Sequence, residues 1–84
     1  MEVKVNIPEY VGEGLRSEWE DGFEIEVKIR HDNIVILANK AGLVSLAKQL
    51  LTLAQDNDPS GFHLHYDVYN SLEEGSEKLI IEKK

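Results

Sequence analysis

The sequence predicts an α+β domain in which an antiparallel sheet of five or six strands carries one long helix on one face. Residues 39–55 have apolar side chains at steps of three and four, the period of an amphipathic helix. Shorter runs on both sides alternate apolar and polar residues, as half-buried strands do. A chain of 84 residues makes one domain, residues 1–84, with a single thin core layer.

The predicted helix covers residues 39–55 and carries the main apolar stripe. Asn39 is expected at its N-cap, where the side-chain oxygen can accept a hydrogen bond from a free amide of the first turn. At a rise of about 1.5 Å per residue, this helix would span roughly 25 Å, the width of a small domain. The stripe that should face the sheet comprises Leu43, Leu46, Ala47, Leu50, Leu53 and Ala54.

The segment before the helix predicts a strand at residues 2–7 and then a hairpin. Residues 2–7 alternate apolar and polar side chains and end at a proline. In the hairpin, a three-residue turn at residues 20–22 pairs Trp19 with Phe23. This register is preferred because it sorts apolar and polar side chains onto opposite faces.

A second hairpin leads into the helix. Asp32 and Asn33 are predicted as its turn, which would set Ile29 beside Ile36. Residues 34–38 are apolar on both faces, so this strand is expected to be central in the sheet or covered by another chain.

Two more strands are predicted after the helix. Residues 56–61 form a dense turn cluster, and residues 62–68 alternate apolar and polar side chains. A loop over residues 69–76 then leads to a last strand at residues 77–83.

The composition indicates a soluble cytoplasmic protein. The chain has no cysteine, which excludes disulfides and thiolate metal sites and suits a reducing compartment. Its N-terminus has no signal-peptide pattern, and its longest apolar run is far shorter than a membrane span needs. We therefore expect no membrane association.

The net charge of −7 is concentrated near the N-terminus. Residues 1–26 hold eight acidic and two basic residues, a net charge of −6. Two interpretations remain open: the charge keeps the domain soluble, or it forms an acidic face that steers a basic partner. Nucleic acid is not expected as a ligand, because phosphate binding requires clustered Lys and Arg.

One group of side chains has the composition of a metal site. His63, His65 and Asp67 alternate along a predicted strand, so all three can share one face. Two imidazoles and a carboxylate can bind zinc or non-haem iron. The alternative is the polar face of an amphipathic strand, and this is the preferred interpretation. We expect no metal, no cofactor and no catalytic residue.

Trp19 also has two interpretations. It can form the edge of the core beside Phe23. It can instead be an exposed aromatic anchor with an acidic rim of Glu18, Glu20 and Asp21, a composition typical of binding hot spots.

From about residue 33 to residue 83 the chain resembles the immunity protein 32 family of predicted bacterial polymorphic-toxin immunity proteins. The resemblance rests on Asn-Lys-Ala-Gly-Leu at residues 39–43, His-Leu-His-Tyr-Asp at 63–67 and Asn-Ser-Leu-Glu-Glu-Gly-Ser at 70–76. It implies a non-enzymatic inhibitor that binds a cognate toxin inside the producing cell.

The leading hypothesis is therefore a toxin-binding protein. Its toxin would have a basic active site if it is a nuclease. The rival hypotheses are a small metal- or ligand-binding module at His63, His65 and Asp67, and an oligomeric accessory domain, such as a homodimer, joined through residues 34–38. The predicted partner-binding residues are Glu18, Trp19, Glu20, Asp21, His63, His65, Asp67, Asn70, Glu73 and Glu74.

Overall fold

The structure, a computed structural model, describes residues 2, 4, 19–55 and 60–84. These contain β1 (Ile25–Arg30), β2 (Asn33–Ala38), α1 (Lys40–Leu53), β3 (His63–Tyr66) and β4 (Leu79–Glu82). Three predicted features lie wholly or mostly outside the described residues. They are the first strand of the hairpin that turns at residues 20–22, the strand at residues 2–7 and the turn cluster at residues 56–61.

The fold is α+β with one helix in the described residues, but the predicted sheet of five or six strands is wrong. The strands form two separate two-stranded antiparallel sheets, β1–β2 and β3–β4. The prediction failed because it assumed that every alternating run pairs with its neighbours in one continuous sheet.

A loop occupies the edge of β1 where a further strand would have to pair. The backbone N–H of Glu73 donates to the Ile25 carbonyl at 2.8 Å, and that of Glu77 to the Val27 carbonyl at 2.7 Å. Between them, the Ser76 hydroxyl accepts a hydrogen bond from the N–H of Val27 at 3.1 Å. These bonds occupy the Ile25 carbonyl and both backbone groups of Val27, so neither β3 nor β4 can pair with this part of β1.

The β1–β2 hairpin turns one residue earlier than predicted. His31 and Asp32 form the turn with φ angles of 49° and 64°, and the strands pair with Ile29 opposite Ile34. A two-residue hairpin turn with both central residues in the left-handed region twists in the same sense as the strands. The predicted pairing of Ile29 with Ile36 is therefore wrong.

The turn before β1 also differs from the prediction. The N–H of Phe23 donates to the Glu20 carbonyl at 3.2 Å, so the turn contains only Asp21 and Gly22. Gly22 has a φ of 75°, a conformation that glycine adopts without steric cost. Trp19 nevertheless stacks on Phe23, with ring centroids 4.4 Å apart.

The helix begins as predicted. The Asn39 side-chain oxygen accepts a hydrogen bond from the N–H of Gly42 at 2.8 Å, which satisfies a free amide of the first turn. The helix ends at Leu53, two residues before the predicted end.

The buried face of α1 is more polar than predicted. Leu46 and Leu53 are buried, but Leu43 and Leu50 are 56% and 43% exposed. The buried residues of the helix are Gly42, Ser45, Leu46, Gln49, Thr52 and Leu53.

Each buried polar side chain on this face has a hydrogen-bond partner. The Ser45 hydroxyl donates to the Ala41 carbonyl, and the Thr52 hydroxyl donates to the Lys48 carbonyl, both at 2.8 Å. Gln49 Oε1 accepts a hydrogen bond from the Tyr66 hydroxyl at 2.7 Å. Because these groups are paired, burying them carries no large desolvation penalty.

The core lies between α1 and the two sheets. A Cβ on Gly42 would be only 2.6 Å from the Glu24 carbonyl oxygen. The helix therefore packs against the residue before β1 too closely for any side chain at position 42. The buried apolar side chains belong to Ile25, Val27, Leu46, Leu53, Leu64, Tyr66 and Leu72.

Candidate functional site

The predicted partner-binding residues do not form one surface. Glu18 lies outside the described residues, and the other nine fall in three places. One group lies beside α1, one on or after β3, and one in the loop that covers the edge of β1.

The first group is largely tied into the fold. Trp19 is half-buried, stacks on Phe23, and meets the Tyr66 ring edge-on with centroids 6.1 Å apart. The Glu20 N–H donates to the Ser45 hydroxyl at 2.8 Å, and the Glu20 carboxylate lies 3.3 Å from Lys48 Nζ. Trp19 therefore belongs to the edge of the core, and Asp21 is an exposed turn residue.

The second group begins with the histidines of β3. His63 and His65 are exposed, on the face of β3 that is turned away from the core. His65 Nε2 lies 3.8 Å from Asp67 Oδ2, beyond hydrogen-bond distance. Within the described part of the chain, no group of three or more His, Cys, Asp or Glu side chains is arranged to hold a metal ion.

Asp67 and Asn70 form the turn after β3. Asp67 Oδ1 accepts hydrogen bonds from the N–H groups of Tyr69 and Asn70 at 2.9 and 3.2 Å. The Asn70 amide donates to the His65 carbonyl at 2.9 Å. Their polar atoms thus stabilise the turn, as Asx residues commonly do.

This turn presents a side chain that the sequence reasoning missed. Tyr69 is 92% exposed between the two turn-forming residues. Tyrosine is enriched at binding hot spots, because it offers a large contact area at a low cost in conformational entropy. The signal in the sequence was an aromatic residue inside an Asp-x-x-Asn turn.

The third group, Glu73 and Glu74, lines a groove on the outer face of the β1–β2 hairpin. Glu73 and Glu74 line it together with Glu24 and Glu26, and the cavity has a volume of about 520 Å³. We call it the acidic groove. Its remaining lining residues are Ile25, Leu37, Ala38 and Asn39.

The carboxylates of the acidic groove are mostly uncompensated. Glu26 pairs with Lys28 at 3.1 Å. Of the residues that the structure describes, none forms an ion pair with the carboxylates of Glu24, Glu73 or Glu74. A site with acidic groups beside the apolar side chain of Leu37 suits the stem and charged head of a lysine or arginine.

Sequence reasoning found only half of the groove. Glu24 and Glu26 precede Glu73 and Glu74 by nearly fifty positions, and no local pattern in the sequence connects the two pairs. The hydrogen bond from the Glu73 N–H to the Ile25 carbonyl brings the two pairs of carboxylates together.

Comparison with known proteins agrees with the resemblance noted in the sequence. The model of the family described as immunity protein 32 matches residues 33–84, which are 52 of the 84 residues. No curated protein and no solved structure matches the chain. In the described residues, no helix is long and apolar enough to cross a membrane.

Proposed function

Because the chain belongs to the immunity protein 32 family, we propose that it is a non-enzymatic immunity protein that neutralises a cognate toxin by stoichiometric binding. It acts in the cytoplasm of the producing cell, before the toxin reaches its target. The family match carries this proposal, and the acidic groove supplies a surface through which binding can occur.

The acidic groove favours a toxin whose contact surface is basic. Opposite charges on two surfaces accelerate association and select against partners of the wrong sign. In a nuclease toxin, the cleft that binds phosphates would be basic. The carboxylates of Glu24, Glu73 and Glu74 would then take the positions of substrate phosphates and block the cleft.

Charge reversal in the groove tests this proposal. Glu74→Lys and Glu82→Lys each change the net charge from −7 to −5, but Glu82 lies on β4, opposite His63. Surface plasmon resonance against the catalytically inactive toxin encoded by the adjacent gene would measure the rates. We expect Glu74→Lys to lower the association rate about tenfold at low salt, with a smaller effect at high salt.

The matched variant separates local charge from net charge. An equal loss with Glu82→Lys would mean that overall charge, and not the acidic groove, governs association. A loss confined to Glu82→Lys would move the contact to the face of His63 and His65. Failure of the unmodified chain to bind or inhibit the toxin would refute the immunity function itself.

A further inference from the structure

We propose that the edge of β2 turned away from β1, which no strand of the described residues covers, docks an extended basic segment of the toxin, and that this segment adds a strand to the β1–β2 sheet. This inference rests on the proposed function. The two edges of this sheet differ in their hydrogen-bond partners. The edge of β1 is covered by the loop at residues 73–77, whereas in the described residues only β1 pairs with β2.

The backbone of β2 has hydrogen-bonding groups that point away from β1. In an antiparallel pair, opposite residues alternate between those that bond to each other and those whose polar groups point outward. Ile25 and Val27 bond outward to the covering loop. Their partners in the register are Ala38 and Ile36, and the next outward position is Ile34. These three residues therefore offer a row of N–H and C=O groups at the edge of β2 that is turned away from β1.

The side chains of β2 lack the usual protection of an edge strand. Exposed edges are normally blocked by charged residues, proline or bulges, since they otherwise pair with other chains. β2 has the sequence Asn-Ile-Val-Ile-Leu-Ala, with no charge and no proline. Ile34, Ile36 and Leu37 remain exposed, with Ile34 at 72%. Such an edge is suited to pairing with an added strand.

The acidic groove indicates the chemistry of that strand. Leu37 lies opposite Glu26 in the register, so both are on the outer face where the groove opens. An added strand would run about 10 Å from β1, which is two strand spacings of roughly 4.8 Å. A lysine or arginine beside Leu37 can lay its stem along that side chain and place its charge at the carboxylates.

A second copy of the chain fits this edge less well. Its own β2 contains no lysine or arginine, so pairing two copies through β2 would leave the acidic groove without a partner from that strand. It would also bring together two chains with a net charge of −7 each. The charge pattern therefore favours a basic partner over self-association.

Amide hydrogen exchange on the full chain tests the inference directly. Exchange would be measured by NMR with and without the catalytically inactive toxin encoded by the adjacent gene. The amides of Ile34, Ile36 and Ala38 should exchange rapidly in the free chain and become at least tenfold slower in the complex. Those of Val35 and Leu37 point to β1 and should already be slow. Binding without new protection at the three outward amides would overturn the strand inference and leave the immunity function standing.

Proline substitution gives a second test. Ile36→Pro removes an outward N–H without removing a hydrogen bond between β1 and β2, whereas Ile36→Thr keeps the N–H and loses similar apolar surface. We expect Ile36→Pro to weaken toxin binding at least tenfold more than Ile36→Thr. Equal affinities of the two folded variants would contradict strand addition. Slow exchange of the outward amides in the free chain would also overturn it. Sedimentation would then show whether a second copy or the chain itself covers the edge.

Discussion

At the scale of single residues, the helix buries hydrogen-bonded polar side chains and leaves several leucines exposed. Ser45 and Gln49 have less than 3% of their surface exposed, whereas Leu50 is 43% exposed. Ser45 links the helix to Glu20, and Gln49 links it to Tyr66. Such links fix the rotation of the helix about its axis, because any other rotation would leave the partner groups unsatisfied.

Two leucine truncations should therefore differ sharply. Leu46→Ala removes a buried side chain and should lower the free energy of unfolding by about 2–5 kcal/mol. Leu50→Ala removes a partly exposed one and should cost less than about 1 kcal/mol. Urea titration followed by circular dichroism measures both. Similar losses for the two variants would contradict the observed rotation of the helix.

Tyr66 should make the stability depend on alkaline pH. Burial raises its pKa from 10.0 to about 12. Between these values the folded chain keeps the phenol proton while the unfolded chain loses it, so raising the pH favours unfolding. The stabilisation is complete below about pH 10 and lost as the pH rises towards 12, a change of about 2–3 kcal/mol.

Phenylalanine variants isolate this contribution. Tyr66→Phe should flatten the difference in unfolding free energy between pH 9 and pH 11.5, although it leaves Gln49 without its partner and lowers stability overall. Tyr69→Phe is the matched control, because that side chain is 92% exposed. If Tyr66→Phe retained the full alkaline loss, other groups would be responsible for it.

At the scale of elements, one residue joins the start of the helix to the segment before β1. Asn39 Oδ1 accepts hydrogen bonds from the N–H groups of Gly42 and Glu24 at 2.8 and 3.0 Å. Its Nδ2 donates to the Gly22 carbonyl at 2.9 Å, and its backbone N–H donates to the Glu24 carbonyl at 3.1 Å. The N-cap thus also determines where the helix lies on the sheet.

Substitution of Asn39 should cost more than the loss of an ordinary cap. Asn39→Ala removes the cap and both side-chain links to residues 22 and 24, and should lower the free energy of unfolding by about 1–3 kcal/mol. Asn39→Asp keeps the two acceptor bonds and loses only the donor, so its cost should be intermediate. Chemical denaturation measures both, and a neutral Asn39→Ala variant would contradict the linking role.

At the scale of the whole molecule, the two sheets carry different side chains on their outer faces. The outer face of β1–β2 meets the acidic groove, while that of β3–β4 carries the exposed histidines. The histidine face has the imidazole side chains of a zinc site, but among the described residues no group of three or more His, Cys, Asp or Glu is arranged to hold a metal ion. We predict that the fold does not depend on a metal.

Calorimetry with EDTA, and then with stoichiometric zinc, checks this expectation. The melting temperature should stay within about 1 °C, because a ligand that does not bind the native state cannot stabilise it. A rise of several degrees with zinc, abolished by His65→Ala, would establish a metal site on the face of β3.

Some features of this protein could be predicted from the sequence because their causes are short-range. The helix and its Asn39 cap depend on residues within a few positions of each other, and the prediction of both was confirmed. The α+β class followed from the two periodicities. The family resemblance followed from continuous motifs between about residues 33 and 83, and the family model matches residues 33–84. Glu73 and Glu74 were predicted as partner-binding residues on their own, without Glu24 and Glu26.

Only the tertiary structure determined which residues distant in the sequence are in contact. The N–H of Glu73 donates to the Ile25 carbonyl across 48 positions, and this contact both covers the edge of β1 and brings together the carboxylates of the acidic groove. The rotation of the helix likewise depends on Tyr66, a hydrogen-bond partner 17 positions from Gln49. Hydrophobic periodicity records which side chains prefer burial. It does not record which polar groups will find partners, and here those pairings determined the strand edges, the helix face and the groove.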